Sequence, residues 1–578
     1  ISQVTCFHEP AGGGGRGVKT RYKVENLQSK IDPSCTEDPL TRLKTNLDNK
    51  EFKETFNFKT VSVGQVKHII KKLKNSGSCG TDGMSARLLK DSVDVLSAPL
   101  QHIINTAITT NVFPEKWKTA KIVPVPKKPC AKELADFRPV SILPISSKVL
   151  EICLLSQISQ FFESNRLFNH NQFAFRKNRS TTTAVIKMYD NWMKKKDSRL
   201  STGLLSYDFS AAFDTLDGSI LCQKLSIYGF CNSAISLIKS FLEGRNQFVE
   251  VHGFHSRLIS ICYGTPQGSC LSPVLFIIYT SDINLWMNRT TLTLYADDIY
   301  QWASDQNINE IISVLEHESQ MIIKFASSNK LILNPQKTHF VLFRHKQPIH
   351  LRSILIGDVP IHESTEIKIL GLTLNNDLNW KKHLEILSST LRSRLFLLRK
   401  LSRKLPRQCL LAILDGFFMS RIRYGLAVFG QPSPLSDSSQ LKRIQVLLNA
   451  AMRIATGTRL SDKIRITVLM EMTKLPSINQ ACHLAITLTT KCILDHDIIP
   501  EMKEALTKDY TDQDRVMTRS QTRKDLITQP TMRVRCRSFS YFAAQLWNKL
   551  PIPLRNGHLT STKFRKEAKA YFDTNCHL

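Results

Sequence analysis

The chain has 578 residues, 42% of them hydrophobic and 22% charged, and its 79 Lys and Arg against 49 Asp and Glu give a formal net charge of +30. This composition excludes a disordered, collagenous or low-complexity chain and leaves ample length for several domains with packed cores. A cationic excess of this size repels itself in a compact state, so it points to a polyanionic partner.

The 14 cysteines include no CxxC pair. That excludes zinc ribbons, knuckles and thioredoxin-like motifs, and free thiols in a reducing compartment, nucleus or cytoplasm, are expected. No run of about 18 apolar residues occurs, so neither a membrane span nor a membrane partner is expected. The first residue is Ile1, and the start reads as that of a fragment or processed precursor without a signal peptide.

Residues 1–56 read as a linker or truncated upstream region. Gly12–Gly15 is taken as spacer, because no strand precedes it and no GK[ST] follows. Residues 57–106 read as a helical extension. Val61, Val63, Val66, Ile69, Ile70 and Leu73 recur at helical spacing, and a second helix runs from about Ser85 to Thr110. Ala120–Lys128 reads as a strand, which Pro124 and Pro126 assign to a sheet edge.

Gly203–Phe209 reads as a buried strand, with Asp208 near its end. Helices are expected over about 218–243, then a turn at Gly264–Gly268 and an apolar helix-like run, Leu271–Tyr279. Two short runs within Leu292–Tyr300 flank a turn carrying Asp297 and Asp298. Helices and strands mix without regular βαβ alternation, which favours an α+β fold with an antiparallel sheet. Residues 381–578 carry 34 Lys and Arg against 15 Asp and Glu. Arg392, Arg394, Arg399, Lys400, Arg403, Lys404 and Arg407 are interleaved with Leu391, Leu395, Leu398 and Leu401. The pattern is a basic amphipathic helix, suited to nucleic acid more than to lipid.

The three aspartates carry the chemistry. A buried carboxylate needs a partner, and an adjacent Asp-Asp pair repels itself unless a cation neutralises it. Hard oxygen ligands suit Mg²⁺, and two such ions clamp the attacking and leaving oxygens of a phosphoryl transfer. An Asp-Asp pair alone is compatible with an ordinary turn.

The neighbouring residues add a resemblance. Tyr295-Ala296-Asp297-Asp298 resembles the YADD box of reverse transcriptases, and Tyr207–Asp214 resembles their first catalytic motif. Gly264–Ser269 resembles the PQG motif that lies between them. Trp117–Ala120 and Asp136–Ser141 resemble the fingers motifs, and Phe175–Thr181 the FRxxRST template motif. Leu333–Thr338 and Leu370–Leu374 resemble the last two palm motifs. Arg423-Tyr424-Gly425, Arg453–Gly457 and Trp547–Pro551 resemble the tails of jockey-like non-LTR retrotransposon polymerases. Two positions depart: Ala174 and Ser272 stand where the family commonly has Gly, and neither would suit a positive φ.

The resemblance implies a right-hand polymerase with an antiparallel palm sheet, fingers, and a helical basic thumb and C-terminal region. Fingers and palm would span 107–375 with helices on one face of the palm sheet, the thumb 376–460, and a basic nucleic-acid-binding region 461–578. Asp208, Asp297 and Asp298 would hold two Mg²⁺, with Mn²⁺ as an alternative, and Phe209 would lend at most its backbone carbonyl. Phe213 would exclude a 2′-OH, and Gln267 would touch the incoming nucleotide. Lys121 and Arg138, beside Lys127 and Lys128, would meet the triphosphate. Lys337 would protonate pyrophosphate. Arg176, Lys177 and Arg179 would grip the template, and Arg392, Arg394, Arg399, Lys400, Arg403 and Lys404 the primer–template.

The implied function is an RNA-directed DNA polymerase that uses an RNA template, a DNA primer or target and dNTPs, and that primes from nicked DNA. The nick would come from a separate or lost endonuclease domain. No ribonuclease H pattern or Cys/His knuckle is seen, and oligomeric state is not specified. Two alternatives stay open at this point: a catalytically dead or domesticated RNA-binding descendant of such an element, and a group II intron-type reverse transcriptase.

Overall fold

The computed structural model describes residues 37–47, 54–133, 136–251, 253–345, 351–430, 438–507, 525–527, 538–556 and 559–574. The Gly12–Gly15 run lies outside them. In chain order the strands that matter here are β1 (Thr119–Pro126), β2 (Phe137–Ile142), β3 (Ser201–Tyr207), β4 (Arg245–Val251), β5 (Phe254–His255), β6 (Ile259–Ile261), β7 (Thr291–Tyr295), β8 (Asp298–Asp305) and β9 (His339–Phe343).

Strands β7-β8-β3-β9 form an antiparallel sheet in that order. Both faces are buried. Leu205, Tyr207, Phe340 and Leu342 enter one hydrophobic core; Leu204, Trp302, Val341 and Phe343 enter another. The helix Ile308–Ser328 covers the first face so closely that a Cβ on Gly203 would lie 2.6 Å from Ile311 and 2.8 Å from Leu315. The helix Thr181–Asp197 covers the second face, with Trp192 5.0 Å from Phe343 and 5.9 Å from Trp302, ring to ring. This corrects the expectation of helices on one face. Strand side chains alternate sides, so consecutive apolar residues such as Leu204 and Leu205 demand an apolar partner on each.

A second sheet runs β2-β1-β4-β5, with β6 also on β4. Here the edge-strand expectation for β1 is corrected. Lys121 to Pro126 pair antiparallel with β2, and Thr119 to Ile122 pair parallel with β4. The prolines lie beyond the stretch that β4 reaches, so β1 is internal at its start and an edge only where Pro124 and Pro126 lack the donor.

Helix ends follow local chemistry. Val63–Lys72 is opened by a reciprocal Ser62–Gln65 capping box. The helix expected from Ser85 to Thr110 is two, Ala86–Asp91 and Val93–Thr110, broken at Ser92. The basic helix runs from Lys381 to Ser402 and stops short of Pro406, which lacks a backbone donor to continue it. Nearer the start, Leu43 is buried in the Thr41–Leu47 helix, and the Phe56 ring lies tilted against Phe230, centroids 4.2 Å apart.

From Lys381 onward the described residues are mostly helical. Leu384, Leu391, Leu395 and Leu398 of the basic helix share one continuous core with Ile486, Trp547, Phe564 and the second face of the β3 sheet. The described helices after Asp462 therefore pack onto the body as part of it. Asp190 of the Thr181–Asp197 helix accepts from the Ser540 amide at 3.0 Å and its hydroxyl at 2.8 Å. Ten cysteines among the described residues are free thiols.

The close seating of Gly203 yields a prediction. Gly203→Ala should overpack the sheet–helix interface and destabilise the protein by about 1–3 kcal/mol, seen as a lower urea midpoint. A midpoint at or above that of the unsubstituted protein would show that Ile311 and Leu315 yield freely.

Candidate active site

The site forms where three strand ends meet. Antiparallel register pairs Tyr207 with Ile299, which sets Asp208 beside the Asp298 end of β8. Tyr295 pairs with Asp298, so Ala296 and Asp297 alone form the β7–β8 loop. Ala296 has φ 57°, a left-handed conformation costing a residue with a Cβ about 1–2 kcal/mol. On the other side of β3, the Asn334 amide donates to the Asp208 carbonyl at 2.9 Å, and the Ser210 amide to the Ile332 carbonyl at 2.7 Å. This lacing brings the Lys337 ammonium to 2.6 Å from Asp208 Oδ2.

The electrostatics follow from crowding. Burial, then the Asp297 and Asp208 charges, push the Asp298 carboxyl up to about 6. Burial and Asp208 also raise Asp297, while Lys337 and Arg138 pull it back. Apart from Asp297's own amide, no donor among the described residues reaches either carboxylate. The carboxylates are hard donors of the kind Mg²⁺ takes. Among the described residues no three His, Cys, Asp or Glu side chains are gathered into a finished metal site, and Lys337 is the cation that Asp208 holds.

The other candidates fall into two groups. Arg138, exposed on β2, acts on Asp297 electrostatically. Phe213 is half-buried, its ring 4.8 Å from Phe276. Gln267 donates to Asp214 at 2.8 Å and, through its carbonyl, accepts from the Ser141 amide at 3.0 Å. Gly268 has φ 110°, and a Cβ there would strike the Ser141 carbonyl, so only glycine fits this close approach. Phe209 is buried and bridges to Leu333.

The remaining cations are mostly engaged. Lys121 pairs with Glu250 at 3.3 Å and Lys128 with Asp136 at 2.9 Å. Arg176 makes a bidentate pair with Glu163, at 3.0 and 2.7 Å, and donates to the Asn169 carbonyl. Arg179 donates to the His170 and Gln172 carbonyls while lying over Phe173. Lys177 is exposed, as are Arg392, Arg399, Lys400, Arg403 and Lys404. Arg394 lies over the Phe417 ring and donates to its carbonyl.

Neither departure from glycine matters to the backbone. Ala174 and Ser272 both avoid positive φ, which falls instead on Phe175 at 55°. Ser272 also uses its hydroxyl, donating to the Pro266 carbonyl at 3.1 Å. Sequence reasoning missed Glu151 and Gln172. Glu151 is fully buried and accepts from Ser147, from Ser269 and from the Cys270 amide at 2.6–2.7 Å, holding the Gly264–Cys270 loop. An acid inside the apolar run Val149–Leu155 of the helix Ile145–Ser164 was the available signal.

The crowding of carboxylates sets a pH-dependent stability. The folded pKa of Asp298, about 6, exceeds the ordinary 3.8, so the native state binds more protons between these values and loses stability as pH rises through them. In chelator at pH 8, Asp298→Asn should therefore melt above the unsubstituted protein, and the gap should shrink below pH 5. A variant that melts at or below the unsubstituted protein at pH 8 would contradict an unneutralised repulsion.

The family model described as Reverse transcriptase (RNA-dependent DNA polymerase) matches residues 125–374. The chain is 24% identical over 467 residues to "RNA-directed DNA polymerase from mobile element jockey" of Drosophila melanogaster, covering 78% of this chain and 50% of that one. It is 26% identical over 411 residues to the jockey polymerase of Drosophila funebris, covering 69% and 44%. It is 26% identical over 403 residues to "Probable RNA-directed DNA polymerase from transposon X-element" of Drosophila melanogaster, covering 68% and 44%. The chain spans about half the length of these curated relatives. Residues 125–374, which carry the three aspartates at one end of an antiparallel sheet, match the reverse transcriptase family, and most of the chain is similar to the polymerases of jockey-type non-LTR retrotransposons.

Proposed function

We propose that the protein is an RNA-directed DNA polymerase that copies element RNA into DNA by two-metal nucleotidyl transfer, primed from a 3′-OH in target DNA. The observation that carries this reading is the convergence of Asp208, Asp297 and Asp298, coupled strongly enough to raise the pKa of the last two. The palm would be the β7-β8-β3-β9 sheet. The fingers would carry β1 and β2, and the thumb would begin near residue 376 and run to about 460. The basic region 461–578 would complete the nucleic-acid surface.

In the reaction the primer 3′ oxygen forms a bond to the α-phosphorus of a dNTP, and the α–β phosphoanhydride bond breaks to release pyrophosphate. Asp208, Asp297 and Asp298 would hold Mg²⁺, with Mn²⁺ as an alternative, and Phe209 would offer its carbonyl. Bound metal supplies charge neutralisation at the phosphates and a more acidic attacking hydroxyl. The chain's own groups do the rest. Arg138 stands on the Asp297 side of the site with its fork exposed, suited to a phosphate oxygen pair. Lys121 could join it only by leaving Glu250. Lys337, already on Asp208, would pass a proton to the leaving pyrophosphate. Phe213 would close the space a 2′-OH needs, and the Gln267 loop would border the nucleotide.

Template contacts divide differently from the motif. Arg176 and Arg179 build the Phe175–Thr181 loop through Glu163 and backbone carbonyls, leaving Lys177 as its free cation for phosphate. Arg392, Arg399 and Lys400 on the basic helix, and Arg403 just past its end, face solvent and would track the primer–template backbone. Such contacts position a duplex without reading its sequence.

Two measurements test this reading. Primer extension by the full chain on an RNA template with dNTPs and Mg²⁺ should proceed and should vanish in Asp297→Asn. RNA binding without extension in the unsubstituted protein would instead mark a nonenzymatic binder. Replacing Arg392, Arg399, Lys400 and Arg403 by Gln should flatten the salt dependence of primer–template affinity by about 0.7–0.9 logarithmic units per lost contact. An unchanged slope would remove the basic helix from the interface.

A further inference from the structure

The catalytic hairpin does not stand alone. Its outer strand, β7, is a sheet edge, and the segment Asn171–Phe173 adds to it as a short parallel bridge. The Phe173 amide donates to the Leu294 carbonyl, and the Leu294 amide donates to the Asn171 carbonyl, each at 2.9 Å. Between them, Gln172 turns a side chain only 1% exposed toward the two-residue loop. Its Oε1 accepts from the Ala296 amide at 3.1 Å and from the Ala174 amide at 2.9 Å. Its Nε2 is buried and has no partner among the described residues.

One carbonyl oxygen thus joins two strained turns. On one side is Ala296, left-handed and immediately before Asp297; on the other is Ala174, immediately before the left-handed Phe175 that opens the Phe175–Thr181 loop. A two-residue hairpin loop has few amides inside the ladder, so an outside acceptor is what pins its conformation. The same acceptor transmits any displacement of the Phe175–Thr181 loop to the carboxylates.

We propose that Gln172 is a positioning residue for the polymerase reaction, holding the Ala296–Asp297 loop and the Phe175–Thr181 loop as one mechanical unit. The inference rests on the reading that Asp297 and Asp298 serve nucleotidyl transfer. A residue acting in this way governs how well the carboxylates are aimed, so its loss lowers kcat and weakens metal use, while nucleotide and duplex are bound through other groups.

The test uses the full chain with Gln172→Met, which keeps the side-chain volume and removes both polar atoms, and Gln172→Glu, which keeps the acceptor. In Gln172→Met, kcat should fall by about tenfold or more and half-maximal Mg²⁺ should rise by about threefold, with the dNTP KM and duplex Kd within about twofold. The Ala296 amide should exchange with solvent faster. Gln172→Glu should restore the exchange protection and much of the rate. Unchanged kcat, Mg²⁺ dependence and Ala296 exchange in Gln172→Met would overturn the inference, and so would a loss confined to duplex affinity. If the unsubstituted protein extends no primer, the polymerase reading fails. Amide exchange at Ala296 then still decides whether Gln172 holds the loop. If Gln172→Met does not fold, Gln172→Glu decides alone: protection lost with the acceptor retained would overturn it.

Discussion

The repulsion among Asp208, Asp297 and Asp298 is the constraint around which the central sheet is organised. Two of the three carboxyls are raised above their ordinary pKa by burial and by one another. A site so charged is held only by structure that over-determines it. The ladder from β3 to β8 places Asp208 and Asp298 on neighbouring strands. The lacing of 208–210 to 332–334 fixes the third side, and with it the Lys337 ammonium. Ala296 accepts a left-handed backbone to keep the connecting loop at two residues.

That rigidity comes from depth on both faces. A sheet with one solvated face would flex where this one is clamped between the Ile308–Ser328 and Thr181–Asp197 helices. The second clamp is itself backed by the helices after Lys381, which share its core. The basic C-terminal third therefore has two roles in one packing arrangement: its leucines complete the support of the sheet, and Arg392, Arg399, Lys400 and Arg403 stay outside. Arg394 combines them, lying over Phe417.

Buried polar side chains complete the frame at the loops. Glu151 gathers the Gly264–Cys270 loop from beneath, and Gln172 does so for the β7–β8 loop. Each satisfies backbone amides that no strand partner reaches, which is why a buried acceptor is tolerated there. The departures from glycine at 174 and 272 are explained by the same detail. The left-handed turn sits at Phe175, and the Ser272 hydroxyl has a carbonyl of its own to bind.

The linear order of residues determined most of the local structure. Asp208, the Asp297–Asp298 pair, the Gly264–Gly268 turn and the capped helix at Val63 were all legible, because carboxylate pairs, glycine turns and helix caps act over a few residues. Long-range pairing was not legible. Pro124 and Pro126 suggested an edge, yet β4 approaches β1 on the side of its proline-free half, a fact set by residues more than a hundred positions away. Arg176 and Arg179 read as free cations until the fold brought Glu163 and the His170 carbonyl to them. Leu204 and Leu205 announced burial but could not say that helices would cover both sides. The tertiary structure alone decided which charges are spent internally and which stay exposed, because an ion pair depends on where distant backbone segments meet.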